Sequence, residues 1–140
     1  MATEATSIGI AGLISLAFAA AGLIATAVQM GRNRNYQKEN TAKAVYRDYL
    51  KLAVDNPVLA DGDLTKIQAS GLLDKYRWYV SYFLWACEEV IAFAPTDTEW
   101  HQDIVAQLGY HRAYLTSDEF SQQELPFYSK ELVEFIAKAK

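Results

Sequence analysis

The chain has 140 residues, 51% of them hydrophobic and 13% aromatic, with a formal net charge of −4. That charge excludes nucleic-acid binding by bulk electrostatics, and the length, once an apolar N-terminal stretch is set aside, allows one small domain with one core. The single cysteine, Cys87, excludes an intramolecular disulfide and a thiolate metal cluster built within the chain.

From Ala5 to Gly31 no residue is charged, and Ile8 to Met30 is almost wholly apolar or small. At helical rise this run spans roughly 35 Å, enough to cross a hydrocarbon core of about 30 Å. A cleaved signal peptide is the rival reading, and Ala25-Thr26-Ala27 has the look of a cleavage site. Met1–Ser7, however, offers only the acidic Glu4 where a basic n-region is needed. The expectation is a retained transmembrane anchor over residues 1–31, followed by a helical domain over 32–140. Ala11, Ser15, Ala19, Gly22 and Thr26 share one side of that helix, where small residues let a second membrane helix approach closely. The plainer account of the same pattern is that Ala and Gly are common in membrane helices.

Residues 31–51 carry six basic side chains against two acidic ones, whereas 52–140 carries seven against fourteen. A basic collar holding Arg32, Arg34, Lys38 and Lys43 fits contact with lipid headgroups. By the positive-inside rule it places the C-terminal domain in the cytoplasm and the N-terminus outside, at a cell inner (plasma) membrane.

Arg32 to Asp55 has no proline and carries an apolar stripe of Ala42, Val45, Tyr46, Tyr49, Leu52 and Ala53, so it reads as helix running on from the span. Asn56-Pro57 ends it, and Asp61-Gly62-Asp63 predicts a loop with Asp63 as N-cap of the next helix. Leu64 to Ala94 reads as helix, broken near Ser70-Gly71. Its second part is apolar nearly all round, with Asp74, Arg77, Ser81 and Glu88 on one narrow polar line. Only ten uncharged residues separate Arg77 from Glu88, too few for a second span, so this is predicted to be the buried central helix of a bundle.

Pro95 stops that helix, and Thr96-x-x-Glu99 has capping-box form for the next. Trp100, Ile104, Leu108, His111 and Leu115 make its apolar stripe. Ser117-Asp118-Glu119 starts a short helix, and Pro126 precedes a last one over 127–139 with Tyr128, Leu132, Phe135 and Ile136 inward. No segment alternates as a strand does. The predicted class is all-α: one N-terminal transmembrane helix and a small helical bundle.

The chemistry of the side chains points away from an enzyme. Neither His101 nor His111 follows a Glu by three positions, as di-metal carboxylate bundles require, and no metal or other cofactor is expected. Cys87 lies on the apolar helix with no adjacent cation to lower its pKa, and no phosphate loop or nucleophile elbow is present. Glu89 is the one suggestive acid. It shares a helical face with Trp78, Tyr82 and Trp85, and with His111 these residues form a candidate buried polar or ligand site. An ion pair from Glu89 to Arg47 or Arg112 is the structural alternative, and an aromatic cluster holding one acid would also suit a cationic ligand.

The Tyr46-x-x-Tyr49-Leu50 stretch followed by Asn56-Pro57, the helix from Tyr76-x-Trp78-Tyr79 to Glu88-Glu89, and Trp100 to Tyr114 form a layout covering most of the chain. In that layout the chain resembles uncharacterised bacterial families of single-pass membrane proteins with a C-terminal Tyr/Trp-rich helical domain. The resemblance implies an architecture and brings no activity. The expected function is a membrane-anchored interaction module, scaffold or accessory subunit. Its partners would be membrane lipids and another membrane protein or a second copy, not nucleic acid. The alternative is a ligand-sensing or effector domain at the bacterial inner membrane, in stress response or phage defence.

Overall fold

The computed structural model describes the backbone of residues 2–139 and the side chains of residues 21–139. The described residues form helices and turns only, so the all-α class holds. The chain divides into two units, Met1–Gln37 and Lys38–Lys140. The first is the N-terminal part of α1 (Ala2–Asp55).

Among the described residues no helix is long and apolar enough to cross a membrane. This departs from the predicted span at Ile8–Met30. Its described side chains cover only Ala21–Met30, roughly 15 Å of helix against a core of about 30 Å. Ala11, Ser15 and Ala19 of the predicted contact face lie outside the described side chains. Gly22 and Thr26 lie within them, and the Thr26 hydroxyl donates to the Gly22 carbonyl at 2.8 Å. Leu23, Ile24, Val28 and Met30 on this stretch are all exposed.

The second unit begins with the last turns of α1, which contribute Ala42, Tyr46 and Tyr49 to a core. At Asn56 the backbone N–H still reaches the Leu52 carbonyl, but Pro57 re-initiates as the first residue of α2 (Pro57–Asp61), a short helix between the predicted stop at Asn56-Pro57 and the predicted loop at Asp61-Gly62-Asp63. Gly62 then turns the chain at φ +67°, and Asp63 caps α3 (Leu64–Ala69) by accepting from the Thr65 and Lys66 amides. Gly71, also at φ +67°, is the predicted break, after which α4 (Leu73–Phe93) runs through the middle of the unit. α4 packs against α3, α5 (Thr98–Tyr110) and α8 (Lys130–Lys138), burying Tyr76, Val80, Phe83, Leu84, Cys87 and Val90.

The later boundaries differ from the sequence reading by small, explicable amounts. Asp97, not Thr96, caps α5, since its carboxylate accepts from both the Glu99 and Trp100 amides. The stripe through His111 and Leu115 is buried as expected, but the helix breaks at His111 into α6 (Arg112–Leu115). Ser117 caps α7 (Asp118–Gln123). Pro126 sits in a 3₁₀ turn, Leu125–Phe127, which delays the last helix until Ser129 caps it. Leu132, Phe135 and Ile136 are buried from α8, Tyr128 is half-buried, and Phe127 is left 86% exposed.

Candidate functional site

The four residues predicted to share a face of α4 do share one, but it is the outer face. Trp78 is 78% exposed and Trp85 45%, while Tyr82 and Glu89 are half-buried. The fully buried face of α4 is the Tyr76–Val80–Phe83–Cys87 side, against Tyr49 and His111. The expectation of one buried site holding Glu89, the aromatic residues and His111 is therefore corrected. α1 and α5 cover the opposite side of the helix, and the indoles remain outside.

His111 belongs to the core. Its ring is fully buried among Tyr76, Tyr79 and Phe83, all with ring centroids within 5.7 Å. Nδ1 lies 2.9 Å from the Tyr76 hydroxyl, and burial pushes its pKa down to about 4, so the imidazole is neutral near pH 7. Nε2 is buried with no hydrogen-bond partner among the described residues. The other histidine, His101, is tied to the end of α4: its Nε2 lies 3.1 Å from the Ala94 carbonyl and its ring packs edge-on to Phe135.

Glu89 sits in an acidic depression with Glu88 and Glu131, beside Pro95 and Ser129. Glu88 accepts from the Ser129 amide at 2.7 Å, but among the described residues no ion pair joins Glu89 to Arg47 or Arg112, so the register-fixing pair is not formed. The polar line is used instead by Arg77, which pairs with Asp74 and with Glu119 of α7. Arg32, Arg34 and Lys38 are exposed along α1, and Lys43 pairs with Glu39 one turn back.

The structure offers a groove the sequence did not reveal. About 520 Å³ in volume, it runs between the end of α1, α2 and the outer face of α4. Leu52 and Leu59 form one wall; Trp78, Tyr79, Tyr82 and Trp85 form the other. Tyr82 and Trp85 meet edge to face at 5.7 Å, an arrangement their ring quadrupoles favour. Its polar end is small and ordered. Asn56 Nδ2 donates to the Leu52 carbonyl at 2.9 Å, which turns Oδ1 toward Lys75, and Lys75 Nζ donates to it at 2.7 Å. On the far side of Trp78 a second depression of about 500 Å³ is bounded by Arg77, Glu124, Phe127 and Tyr128, so Trp78 stands as a ridge between two hollows.

A helical period identifies Trp78, Tyr82 and Trp85 as one face, but it cannot bring Leu52, Asn56 and Leu59 opposite them. The signal available was Asn56-Pro57, where the chain must turn. Among the described residues no group of His, Cys, Asp and Glu is placed to hold a metal. No known protein family, curated relative or solved structure matches the chain, and nothing found bears on the resemblance drawn from its layout.

Proposed function

We propose that the protein is a membrane-anchored helical interaction module, a scaffold or accessory subunit that presents the outer face of α4 from a membrane surface. The observation carrying this reading is the exposed aromatic ridge. Trp78, Trp85 and Phe127 are large, exposed side chains lining two adjoining hollows that share Trp78, and Trp and Tyr are enriched where interfaces concentrate their energy. The uncharged run from Ala5 to Gly31 supports the anchor, as do the exposed Leu23, Ile24, Val28 and Met30. The basic residues from Arg32 to Lys43 support an N-terminus outside and the second unit in the cytoplasm. Ala11, Ser15, Ala19, Gly22 and Thr26 are the proposed contact face for a second membrane helix, and the Thr26 hydroxyl bonded within its own helix suits an apolar surrounding.

Two measurements test the parts separately. Alkaline extraction of native membranes should leave the chain in the pellet, and Leu23→Arg with Ile24→Arg should release it. A photo-crosslinking residue at Trp78 should yield a discrete adduct in those membranes, whereas one at Tyr110, which is also exposed, should not. Adducts of equal yield at both positions would remove the ridge from the argument.

The groove beside Trp78 favours a second reading, a ligand-sensing or effector domain at a bacterial inner membrane. Its volume lies within the range of small-molecule sites, and its lining is apolar with a few converging polar groups.

A further inference from the structure

We propose that the groove between α1 and α4 binds a single-chain anionic amphiphile, with its apolar body along Trp78, Tyr82 and Trp85 and its charged head at Lys75. The inference rests on the ligand-binding reading of the groove and is independent of the membrane anchor.

The hollow itself, as distinct from the exposed ridge beside it, has the size of a small-ligand site. The groove is lined by nine residues, whereas a specific protein–protein interface takes roughly 20–30 from each side. Trp78 and Trp85 are two helical turns apart, about 10 Å along the axis, which matches an extended chain of about eight carbons.

Charge selects the class. Lys75 is the one charged side chain in the lining, and no carboxylate faces it there. Its ammonium is positioned by a neutral amide, the Asn56 oxygen, which itself is oriented by the Leu52 carbonyl. Among the described residues it forms no ion pair, unlike Lys43, Lys51 and Lys66. An ammonium has three donors, so after the bond to Asn56 two remain for an incoming anion. Away from Lys75 the lining carries no charge, with Tyr82 and Trp85 at the opposite end. An anionic head is thus drawn to Lys75, and the apolar body lies toward Trp85, which fixes the direction of the amphiphile.

The test uses the full chain, labelled with 5-fluorotryptophan. Of its three resonances, Trp78 and Trp85 report on the groove, and Trp100, packed on Tyr46, is an internal control. Octanoate, octanol and octylammonium are titrated below their micelle concentrations. Octanoate should shift Trp78 and Trp85 saturably and leave Trp100 in place, binding about fivefold tighter than octylammonium, the upper end of what a solvent-exposed ion pair supplies. Lys75→Gln should bring the three ligands to within twofold of one another, and Lys75→Arg should keep the preference. Equal binding of all three to the wild-type chain would overturn the anionic class while leaving the groove as an apolar site. Shifts in all three resonances, or in none, would overturn the ligand-binding reading itself. So would ligand-free Trp78 and Trp85 signals that broaden with protein concentration, since a second copy would then cover the face.

Discussion

His111 brings an imidazole into a place no water reaches, surrounded by the rings of Tyr76, Tyr79 and Phe83. Its pKa falls from 6.5 to about 4 because a charged ring there would lose its hydration. The unfolded chain therefore takes up a proton below pH 6.5 that the folded chain refuses until about pH 4. The stability this residue contributes is complete above pH 6.5 and is lost as pH falls toward 4, on the order of 3 kcal/mol in all. Urea unfolding followed from pH 7.5 to 4 should show that decline, and His111→Gln should flatten it; an unchanged slope in the variant would assign the acid sensitivity elsewhere. Cys87 is the companion case. Burial first, and the neighbouring Glu88 second, push its thiol well up, so no thiolate is available near pH 7. A disulfide reagent should label it only at the rate of global unfolding. The sequence placed both residues within apolar helical stripes, which marked Cys87 as structural but left His111 grouped with Glu89 in a candidate polar site. It did not show that Glu89, one residue beyond Glu88, would stay at the surface.

The turns around α3 separate two effects that a sequence merges. Gly62 and Gly71 both have φ of +67°, the left-handed region that costs an L-residue about 1–2 kcal/mol. A Cβ on Gly71 would meet nothing within 4 Å, whereas one on Gly62 would lie 2.0 Å from the Tyr110 carbonyl oxygen. Gly71→Ala should therefore cost about 1 kcal/mol, and Gly62→Ala at least about 3 kcal/mol because backbone must move as well. Equal shifts in the urea midpoint would show that the Tyr110 contact yields easily. At the helix starts the side-chain oxygens of Asp63, Asp97, Ser117 and Ser129 all accept from backbone amides, and removing one such cap, as in Ser129→Ala, should cost about 1 kcal/mol in the same assay. Asp63 and the Ser117 start were readable from the sequence. Asp97 was not, because Thr96-x-x-Glu99 offers a competing cap one residue earlier, and only the turn after Pro95 decides between them.

At the scale of the whole chain, the helical class and the central place of α4 followed from periodicity, but the candidate site did not. α4 is apolar nearly all round, so its sequence cannot say which side the rest of the chain covers. That choice falls to Tyr49 of α1, which stacks on Phe83 at 4.4 Å and turns Trp78 and Trp85 outward. The same packing bears on the independence of the two units. The buried core begins at Ala42 and draws nothing from residues before it among those described. Removing residues 1–37 therefore deletes no core side chain among the described residues, while it keeps Tyr46 and Tyr49, which join Trp100, Tyr79 and Phe83 in one aromatic cluster. A chain of residues 38–140 should fold as a monomeric helical domain with a single cooperative transition, measured by circular dichroism. Truncating further, to remove Tyr46 and Tyr49, should abolish that transition, since it strips the packing from one side of α4 and exposes the ring of Phe83. If the 38–140 chain melted gradually and bound hydrophobic dye, the core would depend on the first unit, and the division at Gln37 would not be an energetic one.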